Sequence, residues 1–122
     1  FIHLTYVPYL AAAGELKSKP TQHSVKDMLQ IGIQPDILLC RTDRFLPKEI
    51  KEKIALYGNI RMDAVITAKD VESIYEVPLI FHQEKLDQII IDYLKMWTRK
   101  PDISAWEDIA YRFSHPKTDV TI

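Results

Sequence analysis

Apolar residues first gather from Leu4 to Tyr9, a β-branched and aromatic run that predicts a strand. Val25, Met28 and Leu29 then fall at the i, i+3, i+4 spacing of one helix face, with Pro20 and Thr21 as a start signal and Gly32 as the stop. Ile37-Leu38-Leu39-Cys40 is a continuous apolar run between Pro35-Asp36 and Arg41-Thr42-Asp43-Arg44, the pattern of a strand covered on both faces in a parallel sheet. A crossover helix is predicted next. Pro47 opens it, Ile50, Ile54 and Tyr57 form its stripe, and Gly58 ends it, after which Ala64 to Thr67 reads as another buried strand.

The rest of the pattern is helical. Leu86, Ile89, Ile90, Tyr93 and Leu94 keep one face apolar, after a short helical segment that Pro78 should start or kink. Ser104 and Glu107 have the spacing of a capping box, and Trp106, Ile109, Ala110 and Phe113 form the stripe behind it, which assigns Trp106 to a core. Trp97 is assigned a structural role as well. His115-Pro116-Lys117-Thr118 reads as a linker. The expected fold is therefore α/β, a parallel sheet with flanking helices. The chain starts without methionine in the strand-like run Phe1 to Val7 and stops at Val120-Thr121-Ile122, a pattern expected of a piece of a longer protein.

Composition narrows the function classes. At 122 residues, with 47% apolar and 27% charged, the chain has the make-up of an ordinary globular domain. A formal net charge of -1 with interspersed signs gives no overall field for nucleic acid or an anionic membrane, and leaves room for a local basic pocket that takes small anions. The single cysteine, Cys40, excludes an internal disulfide, and its apolar setting reads as a buried, inert thiol. No leader pattern and no apolar stretch long enough to span a bilayer is present, so a reducing, cytoplasmic setting is expected. His3, His23, His82 and His115 have no metal-ligand spacing, so no metal is expected on this chain's own side chains. No Gly-x-Ser-x-Gly elbow occurs, and 3 glycines are too few for a glycine-rich phosphate loop.

Chemistry concentrates between Gly14 and Ser24. Lys17, Lys19 and several small polar donors immediately precede the predicted helix start at Pro20 and Thr21. Free backbone N–H groups at a helix N-terminus favour phosphate, and two ammonium groups just before it add the point charges a polyphosphate needs. A Lys-x-Lys pair alone is more often a solvated loop. The whole string is more specific: Lys17-Ser18-Lys19-Pro20-Thr21-Gln22-His23-Ser24-Val25-Lys26, followed by Gly32-Ile33-Gln34-Pro35-Asp36-Ile37-Leu38-Leu39-Cys40-Arg41, resembles the signature stretch of CTP synthases. Lys51 to Leu56, Asp70 to Leu79 and the closing Asp119-Val120-Thr121-Ile122 resemble the same family in the same order.

The resemblance implies a P-loop, dethiobiotin synthetase-like synthetase (amidoligase) domain. Residues 1–114 would be its C-terminal part, and residues 115–122 the linker and first strand residues of a glutaminase domain. The family makes CTP from UTP, ATP and glutamine. ATP phosphorylates the uracil 4-oxygen, and ammonia released by the glutaminase domain displaces that phosphate. By resemblance, Lys17, Ser18, Lys19, Pro20, Thr21, Gln22 and Lys53 contact UTP, or CTP as allosteric inhibitor, and Arg41, Lys69, Asp70 and Val71 contact ATP. Their bland readings are an exposed helix lysine for Lys53, an ion pair with Asp43 for Arg41, and a helix cap for Asp70. No residue is assigned a catalytic role. The family's P-loop and Mg²⁺ carboxylates fall upstream of the matched region, and its subunits form a homotetramer. An isolated piece would then be inactive and expose apolar sheet edges. The alternative is a non-catalytic pyrimidine-nucleotide-binding or assembly module that keeps the lysine loop.

Overall fold

In a computed structural model of the chain, which describes residues 1–98 and 100–118, the first apolar run forms strand β1 over Ile2–Tyr6. It does not continue to Tyr9. Val7 still donates its N–H to the Arg41 carbonyl at 2.9 Å, but Pro8 has no N–H to offer and the ladder stops there. Tyr9–Leu10 instead forms β2, which turns back antiparallel onto β3, Glu15–Leu16. Gly14 closes that turn at φ +64°, in the left-handed region.

Helix α1 spans Lys19–Gln30, strand β4 Ile37–Thr42, helix α2 Lys48–Gly58 and strand β5 Val65–Lys69, with a single 3-10 turn at Met62–Ala64 leading into β5. The sheet has the order β1-β4-β5 and is parallel throughout, with Ile2 opposite Ile37 and Leu38 opposite Val65. The predicted β-α-β rhythm is therefore present. Val7, Val25, Leu38, Cys40, Leu46, Ile54, Ala55 and Val65 make one buried cluster, in which α1 and α2 cover a single face of the sheet. On the other face, at the β1 side, Leu4 and Tyr6 stay open to solvent.

Two helix details differ from the pattern. Leu29 and Tyr57 are exposed, so the buried positions are Thr21 and Val25 on α1 and Ile54, Ala55 and Gly58 on α2. The residue that stops α2 is Asn59, left-handed at φ 50°, whereas Gly58 is still helical. Gly58 is small for a different reason: a Cβ there would meet Leu38 Cδ1 at 3.4 Å.

Cys40 is fully buried within reach of the Thr5 hydroxyl (3.6 Å). Thr42, also fully buried, has no hydrogen-bond partner for its hydroxyl among the described residues. An orphaned buried hydroxyl is destabilising, and valine has the same shape with better strand propensity. Thr42→Val is therefore expected to raise stability by about 1 kcal/mol, read as a higher urea midpoint at unchanged m-value. A fall in the midpoint would mean that a buried water satisfies this hydroxyl.

From Val71 onward the chain forms a second unit, whose elements among the described residues are all helical. A 3-10 turn at Ile74–Glu76 leads into α3, Val77–Gln83, which carries Pro78 in its first turn as expected. α4 spans Leu86–Tyr93 and α5 Ser104–Ser114. The capping box is not at Ser104. Ile103 is the cap residue there, and the Ser104 N–H donates to Asp102 Oδ1 at 3.0 Å. It lies at Ser73 and Glu76, where Ser73 Oγ accepts from Tyr75 N–H and Glu76 reaches back to Ser73 N–H at 3.2 Å. Of the α5 stripe only Ala110 is buried; Trp106, Ile109 and Phe113 are exposed, so Trp106 is not a core residue. On α4, Leu86 and Ile89 are buried while Tyr93 and Leu94 face solvent. Among the described residues no helix is long and apolar enough to cross a membrane. The expected closing segment Asp119 to Ile122 lies outside the described residues.

Candidate functional site

Parallel strands bring their carboxyl ends to one edge, the place where open α/β sheets bind ligands. That edge carries Arg41 from β4, Lys69 from β5 and Asp70 directly after it. The Asp70 N–H donates to the Thr42 carbonyl at 2.8 Å, extending the ladder by one bond. Its carboxylate turns to Arg41, whose Nε donates to Oδ1 at 2.9 Å. This bond, with the charge behind it, raises the Arg41 guanidinium pKa above its ordinary value. Arg41 thus pairs with Asp70 and not with Asp43, and the cap of the following turn is Ser73 and not Asp70. Lys69 holds its ammonium 5.9 Å from the Phe45 ring centroid. Val71 opens the second unit.

The lysine loop joins β3 to α1. Ser18 is the N-cap residue and is buried; its carbonyl accepts from Gln22 N–H at 3.0 Å and its hydroxyl from Gln22 Nε2 at 2.9 Å. Thr21 is 1% exposed, donates to the Tyr6 carbonyl at 3.0 Å and lies 3.1 Å from the Thr5 hydroxyl. These inward groups fix the helix start against β1. The outward ones are Lys17, Lys19 and Pro20. No acidic residue lies in the first turn of α1, so the positive end of the helix is not neutralised locally.

Lys17 forms an ion pair with Glu15, two residues upstream on β3. The Glu15 carboxyl is held below the usual carboxylate range, first by the Lys17 hydrogen bond and charge and then by the charge of Lys53 on α2. Lys17 is thus the cation in direct contact with this carboxylate, and Lys53 adds only a minor charge effect from a distance.

An open cavity of about 610 Å³ lies along β1. Leu4, Thr5 and Tyr6 form its floor, Pro20 and Ser24 of α1 one side, and the Arg41–Asp70 pair one end. Its volume is in the range of small-ligand sites. It brings Pro20 together with Arg41 and Asp70, while Lys17, Ser18, Lys19, Thr21, Gln22, Lys53 and Lys69 do not line it. The Ser24 hydroxyl on its wall is 2.7 Å from His3 Nε2. Among the described residues no cluster of His, Cys, Asp or Glu could hold a metal ion.

Sequence reasoning gave Glu15, His3, Tyr9 and Arg44 no role in a binding site. Glu15 was legible as the only acid beside Lys17; the other three gain meaning only when strands distant in sequence become neighbours.

Comparison with known proteins bears on the family. The family model described as CTP synthase N-terminus matches residues 1–96. The chain is 64% identical over 122 residues to a CTP synthase of Koribacter versatilis, and 62% identical to one of Acidobacterium capsulatum. It is 58% identical to one of Syntrophus aciditrophicus. Each match covers 100% of this chain and 22 or 23% of the relative.

Proposed function

The chain belongs to the CTP synthase family, and from that membership we propose that it supplies nucleotide contacts to a ligase that makes CTP from UTP, ATP and glutamine. Since the chain spans about a fifth of its relatives' length, 22% for the first of them, the whole activity is a property of a longer polypeptide. Lys17, Lys19 and Lys53 neutralise the UTP triphosphate, and Ser18, Pro20, Thr21 and Gln22 shape the helix start that receives it. The observation that carries this reading is the N-terminus of α1, capped at Ser18 with no acid in its first turn and directly following Lys17.

Arg41, Lys69, Asp70 and Val71 form the ATP side. Open α/β sheets bind ligands at the carboxyl ends of their strands, and Arg41 is the cation there with a defined orientation. ATP would phosphorylate the uracil 4-oxygen, and ammonia would displace that phosphate. Catalysis of this kind rests on positioning and charge neutralisation. Among the described residues no group of His, Cys, Asp or Glu fits a Mg²⁺ site, so ligands for that ion would come from the rest of the longer polypeptide. CTP feedback at the lysine loop, a homotetramer, a glutaminase domain in the same polypeptide and a cytoplasmic location belong to the same proposal.

The test is CTP formation, followed by its ultraviolet absorbance change, by a full-length enzyme carrying these 122 residues with UTP, ATP and ammonia. Turnover that requires both nucleotides is expected, together with no turnover by the 122 residues alone. An enzyme that turns over without UTP would overturn the proposal. Binding of UTP or CTP by a full-length protein that makes no CTP would favour the non-catalytic module.

A further inference from the structure

The hairpin that delivers Lys17 is too small to hold itself. Its ladder consists of Tyr9 opposite Leu16 and Leu10 opposite Glu15, joined by the exposed Ala11-Ala12-Ala13-Gly14 turn. Short two-stranded hairpins are marginal in water, so something outside the ladder must fix this one. Leu16 gives one anchor by packing against the core cluster. The other is aromatic. The Arg44 guanidinium lies over the Tyr9 ring, its central carbon 3.3 Å from the ring centroid.

Arg44 is itself braced. Its Nε donates to Asp43 Oδ1 at 2.9 Å and its Nη2 to Oδ2 at 2.8 Å, a two-point fork that leaves the guanidinium plane little freedom. Both residues follow directly on β4, the central strand of the sheet. On the hairpin side, Tyr9 is bonded to Pro8, and the Pro8 carbonyl accepts the Lys17 N–H at 2.9 Å. A continuous path of contacts therefore runs from the central strand through Asp43, Arg44 and Tyr9 to the backbone of Lys17.

We propose that Arg44 is a positioning residue for the nucleotide site: its stack on Tyr9 holds the hairpin so that Lys17 is presented to the triphosphate. This rests on the reading of the lysine loop as the UTP contact. A stack of this kind contributes about 0.5–2 kcal/mol depending on exposure, which corresponds to up to about a thirtyfold change in binding. The effect should fall on UTP and not on ATP, because Arg41 and Asp70 are fixed by their own bonds to β4 and β5.

The experiment measures KM for each nucleotide, with the other saturating and ammonia as nitrogen donor, in a full-length enzyme carrying this segment. Arg44→Ala and Tyr9→Leu should each raise KM for UTP about five- to tenfold, with KM for ATP within about twofold. The double variant should be no worse than the more impaired single one, because both remove the same contact. Tyr9→Phe, which keeps the ring but loses the hydroxyl that also interacts with Arg44, should recover most of the loss in KM for UTP. Equal rises for UTP and ATP, additive single effects, or a Tyr9→Phe as impaired as Tyr9→Leu would overturn the clamp. Lys17→Ala is the control. If it raises KM for UTP while Arg44→Ala does not, the clamp alone fails; if it leaves KM for UTP unchanged, the lysine-loop reading fails with it.

Discussion

Replacing Lys17 by alanine in a full-length enzyme carrying this segment is expected to lower kcat/KM for UTP by about a hundredfold or more. Removing one member of a desolvated charge pair costs roughly 2–5 kcal/mol, which is about thirtyfold to several thousandfold in an equilibrium constant. Lys17 should lie in the upper part of that range among the three lysines. Its side chain is 41% exposed and tied to Glu15, so it is already partly ordered and partly desolvated before any ligand arrives. Lys19 and Lys53 are exposed, and solvent screens them more. Lys17→Arg should recover only part of the loss, since a planar fork does not substitute for a compact ammonium on a short loop. Initial rates at varied UTP decide the matter. A change of less than about threefold would return Lys17 to the class of solvated loop lysines.

The three parallel strands of the first unit were legible because their signals are local. The run Ile37 to Cys40 is short, apolar throughout and bounded by Pro35-Asp36 and by charged residues, which favours a buried parallel strand over a longer helix. Boundaries were less legible, and each miss has a cause. The strand expected to reach Tyr9 breaks because Pro8 lacks a donor, yet the same stretch resumes as a hairpin. Gly58 reads as a helix stop, but its small size serves the approach to Leu38, and Asn59 takes the left-handed turn.

Periodicity identifies an apolar face without saying what covers it. Trp106, Ile109 and Phe113 repeat as a buried stripe would and nevertheless remain exposed. Ser104 and Glu107 have the capping-box spacing, but Asp102 reaches the Ser104 N–H and the box forms at Ser73 and Glu76. For the site the same division holds. The lysine loop is contiguous and therefore readable as a string. The pairs Arg41–Asp70, Arg44–Tyr9 and His3–Ser24 each join separate elements, and only the tertiary fold brings their members together.

That register depends on a small core, which makes the central strand the most sensitive place for a stability change. Leu38 is fully buried, sits in the cluster with Ile54, Ala55 and Val65, and has its Cδ1 against Gly58. Leu38→Ala is expected to cost about 3–5 kcal/mol, because removing the side chain loses its transfer free energy and leaves a cavity that a parallel strand and a packed helix cannot close. A unit of this size has roughly 4–10 kcal/mol to lose in all, so this one change would remove about half of it. Hydrogen exchange of the β4 and β5 amides is the measurement, since it reads opening free energy strand by strand in a protein of any length. Protection should fall on both strands together by two to three and a half orders of magnitude, at about 1.4 kcal/mol per order. Loss confined to α2 would mean that the helix lifts away locally while the sheet persists. In that case the alignment of Arg41 with Asp70 would owe more to the ladder bond between Asp70 and Thr42 than to the core beneath it.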